Sequence, residues 1–291
     1  MRWGWMLLLS VWNSASGQFY FYDDKYLDQP VLIDVGVNFG LMSCLTDLGY
    51  GNKLGKGSEW TKGRFCVESG LFISVKWHQR VGIRFNLNYG NVTAADSVLK
   101  NAGDKAVFRY QRNLHFRSRI IDCALVAVVH PIGFFQFESP PALQPYVFAG
   151  FGVFHFDPQA FLVGKWIPLA PLRSEGREPS TFYNRWQSNL LAGIGGSYEM
   201  NARISIMFEC AYRMLHTDYL DDISTVFVDP SFAEPGSEQA GQLKALYSLS
   251  TVRPGPDVCV PGGIRGNSSN NDSYFSFRFA FGWTINRKRI H

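Results

Sequence analysis

Eight stretches of the chain alternate apolar and polar positions, and the segments between them run long, short, long, short. The alternation is cleanest over Val81–Tyr89. Val81, Ile83, Phe85, Leu87 and Tyr89 share one face, and Gly82, Arg84, Asn86 and Asn88 share the other. A strand sends successive side chains to opposite faces, so each stretch predicts a strand with one apolar and one polar side. The other seven lie at about Val31–Gly40, Arg64–Trp77, Phe116–His130, Pro145–Phe156, Gln187–Glu199, Arg203–Met214 and Ser273–Ile285. Segments 41–63, 91–115, 157–187 and 215–272 are long and polar, whereas 78–80, 131–144 and 200–202 are shorter. The expected fold is all-β: an eight-stranded antiparallel transmembrane β-barrel of the outer-membrane kind, with long extracellular loops and short periplasmic turns.

A soluble barrel shows the same alternation with its apolar face inward. Three features favour the membrane. Many stretches reach the ~9–11 residues needed to span a bilayer. Their polar faces carry Gly, Asn, Arg and Glu. Aromatics gather near strand ends, at Phe39, Trp77, Tyr89, Phe156, Tyr198, Tyr212 and Trp283. Composition agrees, since 24 Phe, 13 Tyr and 8 Trp accompany only 18% charged residues, which suits aromatic belts around a lipid-facing wall. No apolar run approaches ~18 residues, so no helix is expected to cross a membrane.

The remaining bulk properties exclude more than they assign. A net charge of +4 is too mild to indicate nucleic acid. The five cysteines are scattered without a CxxC pair, so neither a zinc site nor a redox motif is indicated. Cys66, Cys123 and Cys210 fall on expected apolar strand faces; Cys44 and Cys259 fall in long loops, where they could pair. Arg2, the apolar run Trp3–Trp12 and the small residues Ala15-Ser16-Gly17 read as a signal peptide over 1–17, leaving a barrel domain over 18–291. Gly49–Ser58 has the look of a phosphate loop but not its spacing, and leads into a strand.

Six charged residues fall on inward strand faces: Asp34, Glu68, Arg84, Glu209, Arg213 and Arg278. Buried charges are costly unless paired, so these are expected to form a lumenal network. The alternative is the lining of a narrow channel, although eight-stranded barrels are usually filled by side chains. His216, Asp218, Asp221 and Asp222 gather just beyond the seventh stretch. Three readings stand there: a rim network with Arg265 or loop amides, a calcium site from Asp221, Asp222 and Asp272, or a rim-active hydrolase. At the other end, Tyr20 and Tyr22 in the segment Gln18–Pro30, with Arg287, Lys288 and Arg289, form an aromatic and basic edge suited to a periplasmic partner or to the membrane surface.

Several segments resemble the PorG-type outer-membrane β-barrel family of Bacteroidetes, which is associated with type IX secretion. They are Gln18–Tyr22, Arg112-Asn113-Leu114-His115-Phe116, the run from Pro145 to Pro158 and Pro171-Leu172-Arg173-Ser174-Glu175-Gly176. The most specific are Thr217–Thr225, with Asp218, Tyr219, Asp221 and Asp222, and Arg265-Gly266-Asn267, followed by Asn271-Asp272. The resemblance implies an outer-membrane barrel with no enzyme activity; no residue pattern indicates a cofactor or identifies a small-molecule substrate. It implies outer-membrane lipid and periplasmic secretion components as partners. The stretch 230–264 matches no part of that pattern.

Overall fold

The computed structural model describes residues 26–27, 30–48, 65–101, 107–134, 143–176, 183–249 and 259–289. The expected signal segment, Tyr20, Tyr22 and Gly49–Ser58 lie outside these. Eight long strands form the wall: β1 (Val31–Leu45), β2 (Cys66–Trp77), β3 (Val81–Ala95), β4 (His115–Val129), β5 (Leu143–Leu162), β6 (Trp186–Glu199), β7 (Ile204–Leu215) and β8 (Ser273–Thr284). Each pairs antiparallel with its chain neighbour, and β8 closes on β1 from Ser273↔Leu45 to Thr284↔Asp34. The chain is thus a closed eight-stranded antiparallel barrel, which leaves no strand edge along the wall.

The wall is inside-out relative to a soluble barrel. Val67, Phe151, Ile194 and Phe279 are 57–68% exposed on its outer surface, while Glu68, Arg213 and Arg278 are 1% exposed within. Water would penalise this arrangement and lipid favours it. The outer apolar stripe of β3 runs from Val81 to Tyr89. Nine residues at ~3.4 Å each, tilted by ~40°, span roughly the 25 Å apolar band of an outer-membrane barrel.

Strands β1, β3 and β5 continue beyond the sequence expectation. β5 extends to Leu162 and folds back through a turn onto Lys165–Pro168, where a loop was expected from residue 157. The extensions persist because their inward side chains enter an apolar core above the lumen. Met42, Val92, Phe154, Phe156, Ala160 and Leu162 pack there with Leu215, Leu220 and Ile223. The long connections therefore build a folded cap. It includes a short helix α1 (Val107–Arg112) and a longer one, α2 (Glu238–Leu249), which buries Ala240, Leu243 and Leu246. The Ser237 hydroxyl caps α2 by accepting from the Ala240 amide at 3.1 Å.

At the short-turn end, Tyr26–Leu27 pairs antiparallel with Lys288–Arg289, tying the two ends of the barrel chain together. None of the five cysteines forms a disulfide, so Cys44 and Cys259 are not joined as a pair. Cys123 and Cys210 lie on the lipid side, but Cys66 does not. It precedes the outward Val67 by one position, so alternation turns it toward the core.

Candidate functional site

Alternation aims every second side chain of the wall into the lumen, and closure brings residues far apart in sequence face to face. Nearest the short turns, Lys76 Nζ lies 2.7 Å from Asp34 Oδ2, and the Thr284 hydroxyl donates to Asp34 Oδ1 at 2.7 Å. Above them, Glu209 is held from three sides. Arg84 Nη1 is 2.5 Å and Arg278 Nη2 2.7 Å from its oxygens, and the Tyr146 hydroxyl donates at 2.6 Å. Arg278 also faces Glu68 at 3.8 Å. Higher still, Arg213 Nε meets Asp122 Oδ2 at 3.2 Å, and Asn189 donates to the other oxygen at 2.8 Å. Four cations (Lys76, Arg84, Arg213, Arg278) thus oppose four anions (Asp34, Glu68, Asp122, Glu209). Rings fill the space between: the Arg84 guanidinium sits 5.1 Å from the Phe148 centroid, and Arg213 5.0 Å from that of Tyr274.

All six inward charges expected from the sequence lie in this stack, yet Glu209 and Arg213 do not pair with each other. Asp122 and Lys76 complete the charge balance. Lys76 could have been found, since it shares its strand face with Ser74 and Glu68, whereas the face of Asp122 carries Ile120, Ala124 and Val126. Asp122 was hidden by the run Ile120-Ile121, which blurs the alternation of β4.

The cap brings together most of the segments that carry the family resemblance. Arg112 bonds Asp96 at 2.9 and 3.1 Å, donates to the Asp47 carbonyl at 2.8 Å and also donates to the Arg265 carbonyl. Arg265 in turn meets Glu175 at 2.9 Å and Asp222 at 3.4 Å, and donates to the Asp222 carbonyl at 2.6 Å. Glu175 accepts from the amides of Ser224 and Thr225 at 2.8 and 3.0 Å. Asp222 also accepts from the hydroxyls of Ser174 and Tyr183. Asp272 accepts from the Leu220 amide at 2.9 Å, and Asp221 from the Ile223 amide at 3.0 Å. Tyr219 stacks on Tyr183 with centroids 4.6 Å apart, and Asn271 is exposed. Gly266 is where the loops approach closest: a Cβ there would stand 2.8 Å from the Ser224 amide nitrogen. Two buried arginines therefore lock all four long connections into one body.

The same burial perturbs the acids that lack an arginine. Burial, then Ser224 bonding against it and Asp47 repulsion with it, leaves Asp218 pushed up to about 8. Burial and the Asp47 carboxylate push Asp221 up to about 8 as well, and burial with Asp221 raises Asp272. Burial thus favours the neutral form of these carboxyls.

Two alternatives for the rim do not match the geometry. The hydrolase reading needs His216 beside an aspartate. His216 continues the outward side of β7 after Met214, is exposed, and bonds the Ser188 hydroxyl at 2.7 Å, while Asp218, Asp221 and Asp222 are buried within the cap. The calcium reading needs Asp221, Asp222 and Asp272 to converge. Asp222 turns instead to Arg265, and among the described residues no group of three or more acidic, histidine or cysteine side chains is arranged to hold a metal ion. At the short-turn end, Arg287 donates to the Ala202 carbonyl at 2.7 Å and faces Glu199 at 3.5 Å, so its guanidinium braces the last turn.

No protein-family model matches the sequence, and no curated protein matches it. Solved structures do. Neisserial surface protein A matches at 8% identity over 88% of this chain and 98% of its own, with a TM-score of 0.39. A major outer-membrane protein of Thermus thermophilus matches at 9% over 88% and 100%, with a TM-score of 0.40. OprG of Pseudomonas aeruginosa matches at 10% over 88% and 95%, with a TM-score of 0.35.

Proposed function

We propose that this protein is a sealed, non-enzymatic outer-membrane barrel that anchors a surface or secretion apparatus. The observation that carries the reading is the lumen. Its charges are paired across the barrel, its upper end is an apolar core, and the loops above are locked by Arg112 and Arg265. A transport path would need water-lined space where these groups stand. Among the described residues the cap acids are held by arginines and loop amides, and the Ser188–His216 contact lies exposed on the outer wall, away from them. What is left to act is the rim on the short-turn side, where the ribbon of Tyr26–Leu27 and Lys288–Arg289 joins both chain ends.

The resemblance of the cap and strand segments to the PorG-type family supports type IX secretion as the apparatus, with export through a signal removed before Gln18. A photo-crosslinking residue in place of Lys288, in intact cells, tests this. Adducts with a periplasmic secretion component, and loss of secretion in a deletion strain, are expected. Lipid adducts alone with undiminished secretion would end the assignment.

A further inference from the structure

Above the apolar band, one sector of the outer wall changes character. On β4 the outward column runs Val129, Ala127, Leu125, Cys123, Ile121 and then Arg119, Arg117 and His115. The neighbouring column of β5 runs from Val147 to Val153 and then His155, Asp157 and Gln159. Arg119 lies one outward step above Ile121, which is paired with Tyr89 at the top of the β3 stripe. The charges therefore stand at the level of lipid headgroups, on the outside of the barrel and on the long-loop side.

The sector has more cation than it can pair. Arg119 and Arg185 each approach a different oxygen of Asp157 at 3.1 Å. Both guanidinium side chains stay open, at 53% and 45% exposure. Among the described residues Arg117 meets neutral groups: it donates to Gln159 Oε1 at 2.8 Å, its guanidinium carbon lies 4.0 Å from the Trp166 ring centroid, and its Nε–H has no partner. Three guanidiniums against one carboxylate, among the described residues, leave the sector positive. Trp166 and Trp186 flank it, Trp186 packing 5.0 Å from His155. The outward column of β8, which ends in Phe275 paired with Ser43 and Tyr212, carries no charge.

We propose that this sector binds the phosphate-bearing headgroup of a lipid in the outer leaflet. The occupant follows from what surrounds the charges. Arginine forks match phosphate oxygens in pairs, and tryptophans at this depth sit at the headgroup boundary. The wall below, Ile121, Leu125, Phe151 and Val153, is exposed and apolar, so acyl chains continue from the headgroup without a break. A soluble anion would gain the guanidiniums but not the wall. The site is independent of the secretion reading and requires only that the barrel spans a bilayer.

The test uses lipid A, a phosphorylated glycolipid, titrated into the detergent-solubilised full chain and read by native mass spectrometry. Arg117→Gln with Arg119→Gln is expected to weaken binding roughly thirtyfold, from the ordinary contribution of each basic residue at an anionic surface. Arg80→Gln, an exposed cation at the opposite rim, is expected to change nothing. Heat-modifiable gel mobility checks folding; should the double variant not fold, Arg119→Gln alone, at an exposed position, is expected to lose about fivefold. Equal binding by wild type and variant, equal binding of dephosphorylated lipid A, or full displacement by inorganic phosphate would each overturn the proposal.

Discussion

Arg213 shows what a single buried side chain does here. It is 1% exposed and holds Asp122, which pairs with no other cation among the described residues. Arg213→Ala strands that carboxylate in the lumen, a loss of about 3–5 kcal/mol, whereas Glu199→Ala at the solvated rim should cost under about 1 kcal/mol. Urea unfolding in detergent gives both values, and equal midpoints would remove Arg213 from the network. The cap acids act in the opposite sense. Asp221 is held near pKa 8 in the folded cap against the ordinary carboxylate range when unfolded. The folded state then keeps a proton that the unfolded state releases, so this contribution is present at low pH and is lost as pH rises through about 8. Asp221→Asn keeps the oxygen that accepts from the Ile223 amide and removes the titration. Amide-exchange protection of Leu220–Ser224, corrected for intrinsic rates, should fall between roughly pH 5 and 8 in wild type and be flatter in the variant. Parallel pH profiles would show that Asp221 ionises normally. Inward charges were readable residue by residue from alternation, but partners were not. Spacing along one strand, as for Glu209 and Arg213, says nothing about which side chain closure brings across the lumen.

Strands were legible because a bilayer imposes a long and regular period-two pattern. Their ends were not. β5 passes from lipid to a protein core at Asp157, and its outward residues turn polar there, which in sequence looks like the start of a loop. Helix α2 was missed for a related reason. Ser237 as a cap and Ala240, Leu243 and Leu246 at three-residue steps mark it, but a polar segment between two strands invites a loop reading. The hairpin beyond β5 carries a local conflict. Val163 has φ +47° and is 89% exposed, a left-handed position that a β-branched residue rarely occupies. Val163→Asn should relieve about 1 kcal/mol without removing a buried contact. Limited proteolysis of the long-loop face would register slower cleavage of the hairpin, and faster cleavage would show that Val163 packs against something.

At the scale of the molecule, the apolar wall, the neutralised lumen and the locked cap form one system. Lipid covers the outside, so the driving force that normally fills a protein interior with apolar side chains is free to act only above the bilayer, where the core of Met42, Phe154 and Phe156 lies. Within the bilayer, charge pairing replaces it. The architecture was legible because both faces of each strand report their surroundings. The folded cap was legible in part: the rim acids meet Arg265 and loop amides as expected, but Arg112, Asp96 and Glu175 lie in other connections and no local pattern links them to that rim. The claim on which the account turns is that this barrel is shut. Recording current across a planar bilayer containing the purified protein tests it directly. A shut barrel gives no stepwise conductance at neutral pH in wild type, and steps appear when Arg112→Ala and Arg213→Ala are combined. Ohmic steps from the wild-type protein would contradict it.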